Sequence, residues 1–160
     1  MIEIPLTQGK VALIDDDDLQ LVRGYRWMAW TTPRHNTYYA YAHVRRDDGS
    51  RTSVMMHRLI LCLNDHKIKA DHRDGDGLNN RRANLRACTN GENMRNRGAQ
   101  INNSSGFKGV SWDKKRGKWS AKIKVNRKQK HIGYFAEPEA AYKAYCRAAI
   151  ELHGEFVNFG

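Results

Sequence analysis

Cysteine is scarce in this chain, and the three present, Cys62, Cys88 and Cys146, form no close pair. That argues against a disulfide framework and against a zinc-stapled module, and it fits a reducing cytoplasm. Long apolar runs are missing too. No stretch reaches the length of a membrane span, and no signal-peptide core follows Met1. A mean hydropathy of −0.78 and 28% charged residues describe a soluble protein. At 160 residues the chain has room for one ordinary domain or two small ones with thin cores.

What the chain has in excess is positive charge, +11 in total. Its distribution says more than its size. Residues 1–54 carry 7 basic and 7 acidic side chains, residues 55–100 net +4 and residues 101–160 net +7. A positive field over the last two thirds suits a phosphate polymer, through counterion release and steering. Ribosome- or membrane-surface binding is also basic, so charge alone selects no class.

The chemistry concentrates in residues 70–96 (ADHRDGDGLNNRRANLRACTNGENMRN). Asp71, His72, Asn84 and Asn93 stand close together there, with 12 residues from His72 to Asn84 and 9 from Asn84 to Asn93. A carboxylate beside an imidazole, followed by two carboxamides, can hold one hard metal ion and activate one water. Residues 68–72 read as a short strand, residues 73–80 as an Asp/Gly/Asn turn, and residues 85–88 as the returning strand. Thr89 with Glu92 three positions on has the spacing of a capping box opening a helix, which puts Asn93 about one turn in. Taken singly these residues are ordinary turn chemistry. A calcium loop starting at Asp74, with Asp76 as a ligand, lacks its closing Glu, because Leu85 holds that place.

This stretch resembles the HNH family of ββα-metal nucleases, in the branch found in phage homing endonucleases. The resemblance implies that His72 is the general base and that Asn84 orients it, its oxygen accepting from the ring N–H. It also implies that Asp71 and Asn93 ligate a divalent ion, Mg²⁺ or Mn²⁺. A neutral imidazole of fixed tautomer is what a general base requires.

Upstream, residues 10–14 (KVALI), 37–44 (TYYAYAHV) and 51–55 read as strands, the last two joined across a DDGS turn. The Asp15–Asp18 run reads as a solvated acidic turn or helix start, and Trp27 and Trp30 as core. This lead-in is scaffold. Residues 56–64 (MHRLILCLN) read as a buried helix opened by His57 and Arg58. In the resembling family such a pair lies near the DNA backbone, which makes Arg58 a phosphate-contact candidate; bracing the helix is the alternative for both. Residues 94–106 have linker composition, with a boundary near 97–104, where Arg95 and Arg97 could track phosphates.

The final third has its own pattern. Residues 107–112, 119–125 and 130–135 are three strand candidates forming an antiparallel meander. In the second, Trp119, Ala121, Ile123 and Val125 alternate with Ser120, Lys122 and Lys124, giving one apolar and one basic face. Pro138 stands at a first helical position, ahead of an Ala-rich stripe from Ala141 to Leu152. The segments SGFKGVSW, GKWSAKI, IGYF and EAAYKAY resemble the plant APETALA/ethylene-response-factor DNA-binding domain over residues 104–156. That resemblance assigns DNA contacts to Lys108, Ser111, Arg116, Lys122, Lys124 and His131 on the outer sheet face. Ser111, Lys122 and His131 stand where that family usually has Arg, Glu and Trp. Lysine cannot make arginine's bidentate guanine contact, so DNA affinity is expected without plant-type base preference.

The resulting expectation is an α+β chain: a β-rich scaffold (1–54), an HNH module (55–97), a linker (98–104) and a three-stranded sheet on one helix (105–160). It would be a Mg²⁺-dependent endonuclease of double-stranded DNA. One site per chain implies nicking by a monomer, or two cuts by a dimer; no protein partner is called for. The competing expectation is a DNA-binding regulator with an inactive nuclease module. An RNA-binding protein fits the charge but leaves the Asp71–Asn93 set unexplained.

Overall fold

The computed structural model describes residues 1–31, 37–96, 98 and 103–159. It is mixed α and β, with small antiparallel sheets and few helices, and it divides into two compact units, Met1–Asn90 and Gly91–Gly160. Arg97 and most of the expected linker lie outside the described residues.

Unit 1 opens with a hairpin, β1 (Ile2–Pro5) against β2 (Val11–Ile14). A 3-10 turn over Asp16–Asp18 and the single-turn helix α1 (Leu19–Val22) follow. A three-stranded antiparallel sheet is then built from β3 (Met28–Trp30), β4 (Tyr39–Arg45) and β5 (Arg51–Met55), with β4 central. Helix α2 (Met56–Ile60) leaves β5 directly. Its expected continuation to residue 64 does not occur, because Cys62 adopts φ +52°, a left-handed backbone that a helix cannot carry through. Two short strands, β6 (Lys69–His72) and β7 (Leu85–Cys88), pair antiparallel with His72 opposite Leu85.

The core of this unit gathers Ala12, Ile14, Val22, Trp27, Ala40, Ala42, Met56, Ile60 and Leu85. Alternation along β4 decides which side chains join it: Ala40 and Ala42 turn inward, and Tyr39, Tyr41, His43 and Arg45 outward. Trp27 is buried as expected, its indole N–H donating to the Val22 carbonyl at 2.8 Å. Trp30 is not. In a strand of three residues Ala29 takes the inward position, which leaves Trp30 45% exposed. The acidic run is also more than a solvated turn. Asp18 is 1% exposed and accepts from the Arg82 guanidinium at 2.6–3.1 Å, and the Asp15 carboxylate accepts from the Arg82 backbone N–H at 2.8 Å. A parallel bridge joins Leu13 to Asn79, with Leu13 N–H on Leu78 O and Asn80 N–H on Leu13 O, both 2.8 Å. The first hairpin is thus stitched to the loop between β6 and β7.

Unit 2 begins with most of α3 (Asn90–Arg95). Its sheet runs β10-β9-β8, from β8 (Val110–Asp113), β9 (Lys118–Val125) and β10 (Lys128–Phe135). Pro138 opens the 16-residue helix α4 (Pro138–His153), whose Ala141, Tyr145 and Ala149 pack on Ala121 and Ile123 and the residues around them. The alanines keep helix and sheet close. Gly109 shows how close, since a Cβ there would overlap the Tyr145 ring.

Candidate functional site

In unit 1 the antiparallel pairing of β6 and β7 brings a buried ion pair and a buried histidine together. Asp71 pairs with Arg86 across the two strands, and the Arg86 Nε and Nη2 atoms both lie 2.7 Å from Asp71 Oδ2. Each side chain is 6% exposed. Next along the strand, His72 is equally buried, and its Nε2 lies 3.4 Å from Asn80 Oδ1. Burial lowers the His72 pKa, against the opposing pull of Asn80, Asp74, Asp71 and Asp76, so the ring is held neutral.

The carboxamide on this ring is Asn80, where the resemblance expected Asn84. Asn84 turns into the β6–β7 loop instead. Its oxygen accepts from the Asp74 N–H at 3.1 Å, and its amide donates to Asp74 Oδ1 and to the Asn79 carbonyl at 2.9 and 2.8 Å. The tight DGDG turn brings Asp74 within reach of the residue that closes the loop, and Asn84 satisfies it. Burial acts to raise the Asp74 pKa, but bonds from Asn79, Asn84 and the Asp76 backbone outweigh it and hold the carboxyl below its usual range. Asn80 is fully buried and reaches His72 because its backbone N–H is fixed on Leu13. In sequence it is one of a doublet with Asn79, and nothing local distinguishes the two.

Two further side chains surround His72. The His57 ring meets it edge-on, with centroids 5.2 Å apart and planes at 89°, and the Tyr39 ring lies 5.8 Å from His57 and 5.9 Å from His72. His57 is 8% exposed, and its Nδ1 has no hydrogen-bond partner. Burial first, then the neighbouring His72 and Arg58, push its pKa down to about 3. The loop comes in tightly at Gly77, where a Cβ would overlap the Tyr38 carbonyl and the Tyr39 ring.

Arg58, the expected phosphate contact, is spent inside the protein. Its guanidinium donates to the carbonyls of Ile68, Leu63 and Asp65 at 2.7–2.9 Å, bracing the turn that delivers β6. Asn93 lies on α3 in the second unit. Among the described residues no three His, Cys, Asp or Glu side chains come together as a metal cage. As a donor, Asp71 suits a hard cation in kind, since a carboxylate can accept an arginine and still ligate an ion.

In unit 2 the outer sheet face carries most of the remaining candidates. Lys122 lies opposite His131 and Lys124 opposite Gln129, with Ser111, Ser120 and Tyr134 in one cross-strand row. Arg116, in the β8–β9 turn, pairs with Asp113 at 3.3 Å and sits 4.7 Å over the Tyr134 ring. Lys108 is not on this face. Its ammonium donates to the carbonyls of Arg95 and Asn158 at 2.7 and 2.9 Å, and burial pushes its pKa down to about 8. It is an internal clamp of unit 2.

Tyr134 is the residue that sequence alternation hides. Counting by twos from His131 turns Tyr134 toward the helix, but the register slips between His131 and Gly133. That bulge returns Tyr134 to the outer face, 4.3 Å from the His131 ring.

Comparison with known proteins agrees with this second unit. Residues 105–155 match the AP2 domain, a DNA-binding domain, as the resemblance of residues 104–156 expected. Protein 3.8 of Escherichia phage T7 is 37% identical over 89 residues, which cover 56% of this chain and 73% of that protein. The chain belongs to the Protein 3.8 family. Within that family it is a chain carrying an AP2 domain. No solved structure matches it. No helix among the described residues is long and apolar enough to cross a membrane.

Proposed function

We propose that this chain is a DNA endonuclease, with the AP2 domain as its duplex-binding element and the His72 centre of unit 1 as its hydrolytic element. One observation supports the hydrolytic part above the others: a buried neutral imidazole with a carboxamide on Nε2, one residue from a carboxylate. In this reading the neutral His72 ring is the base that takes a proton from the attacking water, with Asn80 Oδ1 beside Nε2 orienting it. Tyr39 and His57 hold the ring plane, and Arg86 holds Asp71. Asp71 is the ligand that unit 1 offers. A bound Mg²⁺ would neutralise the scissile phosphate and the departing oxygen. With a phage protein as relative, the setting would be the cytoplasm of a bacterial host.

A second reading has its own support. The family comparison speaks for DNA binding more directly than for cleavage, and a carboxylate neutralised by a buried arginine can be purely structural. On that reading the chain is a DNA-binding regulator with an inactive module.

Supercoiled plasmid incubated with wild type and His72→Ala, with Mg²⁺ and with EDTA, separates the two. Metal-dependent open circles from wild type alone are expected, with a rate loss of about 10²–10⁴ in the variant, the usual worth of a general base. Linear product without an open-circle phase would indicate two coordinated cuts. Tight binding with no cleavage under any metal would establish the regulator.

A further inference from the structure

The outer face of the β3-β4-β5 sheet in unit 1 is a second surface with the chemistry of a nucleic-acid site. Tyr39, Tyr41, His43 and Arg45 project from it along β4, opposite to the buried Ala40 and Ala42. Trp30 lies beside Tyr39, with ring centroids 6.2 Å apart, and Arg51 lies opposite Arg45. The Tyr41 and His43 rings meet edge-on at 5.3 Å. Trp30 is 45% exposed, and His43, Arg45 and Arg51 are exposed. The row therefore runs from aromatic to basic along seven residues, about 20 Å of strand. Its aromatic end is Tyr39, the side chain that touches His72.

The zero net charge of residues 1–54 conceals this. Four of the seven acids form the Asp15–Asp18 run, where Asp15 and Asp18 are bound to Arg82 and Asp16 to the Met1 ammonium at 2.8 Å. At the far end of the sheet Asp48 turns back on the Ser50 N–H at 2.8 Å. The β4–β5 hairpin carries Arg45, Arg46 and Arg51 against Asp47 and Asp48 in its turn, so the neutral segment still places positive charge at this end of the face.

We propose that this face binds a DNA strand leading to the His72 centre. Arg45, Arg51 and His43 would take phosphates, and Tyr41 and Trp30 a sugar or an unstacked base. Aromatic platforms flanked by cations are the recurring means of holding a nucleic-acid strand. The proposal takes its direction of travel from the reading of His72 as hydrolytic, but its test does not need cleavage. The full chain is titrated with a random-sequence duplex across a range of salt. Arg45→Ala with Arg51→Ala should weaken binding roughly tenfold and lower the salt slope by about 2, one unit per phosphate lost. Trp30→Ser with Tyr41→Ser should weaken binding with the slope unchanged. Arg45 and Arg51 are exposed, so that pair should melt as wild type, and a cooperative thermal transition in both pairs serves as the folding control. Unchanged affinity and slope in both pairs overturns the proposal, as does a stronger effect on an RNA duplex than on DNA. His72→Ala should bind as wild type, so loss of cleavage bears on the hydrolytic reading alone and loss of slope on this face alone.

Discussion

The polar groups of the two units are used in opposite ways. In unit 1 they are spent on one another: buried Asp71 on buried Arg86, buried Asn84 on the exposed Asp74, buried Asp18 on the half-exposed Arg82, and Arg58 on three carbonyls. On the AP2 sheet Lys124, His131 and Tyr134 stand exposed. Groups held in a fixed low-dielectric arrangement can be tuned in pKa and orientation, which is a requirement of chemistry. Groups kept in water retain their charge and mobility, which is a requirement of steering and phosphate contact. The contrast also cuts across residue type. Lys108 and Lys124 are the same side chain at neighbouring points of one small domain, yet one is a clamp and the other is open to solvent.

That contrast is most sharply broken at Arg86. Arg86→Ala removes a buried cationic partner from the buried Asp71 carboxylate, which costs about 3–5 kcal/mol. Urea unfolding should show the loss in unit 1, while the AP2 sheet still binds DNA. Millimolar Mg²⁺ should recover part of it if Asp71 ligates the ion, because a ligand bound only to the folded state stabilises it. No recovery would favour the purely structural carboxylate.

A smaller effect separates the units by pH. The His57 pKa is lowered in the fold, so the folded state keeps the ring neutral while the unfolded chain protonates it near 6.5. Its contribution to stability is therefore complete above that pH. It falls by about 1.4 kcal/mol per pH unit as the pH drops toward the folded value of about 3. His57→Phe should flatten this slope for unit 1 between pH 6 and pH 4, read by chemical denaturation at stepped pH. An unaltered slope would mean that His57 takes up a proton without unfolding the unit.

The smallest expected effects test the two kinds of lysine. Lys108→Met should cost unit 2 about 1 kcal/mol, through two carbonyls left without their donor, and leave the salt dependence of DNA binding alone. Lys122→Ala with Lys124→Ala should do the reverse, lowering the salt slope by about 2 with stability nearly unchanged. If both substitutions move the same observable, the division between clamp and open face is wrong.

How much of this was legible beforehand follows from the range of the interactions. Local signals were sufficient for β5, β7 and the opening of α4, where alternation, turn residues or Pro138 mark the element. The AP2 segment carried its fold in closely spaced motifs. Where partners are remote, reading failed. Asn80 is set on His72 by Leu13, 67 residues earlier, and Lys108 looks like a free cation until its partner carbonyl at Asn158, 50 residues on, is seen. Tyr134 was hidden by a one-residue bulge, and Trp30 by a strand too short to establish a period.

The stitching of the first hairpin to the β6–β7 loop has a kinetic meaning. Asp18 and Arg82 are 64 residues apart in the chain, and the Leu13–Asn79 bridge spans a similar distance. Closing so long a loop costs entropy before any contact rewards it, and contacts of that range form slowly. During synthesis the hairpin must wait for most of unit 1 to leave the ribosome before its partner loop exists. The Asn80 backbone N–H gains its Leu13 partner only with that closure, which ties the fixing of the centre to the joining of the unit's start to its end.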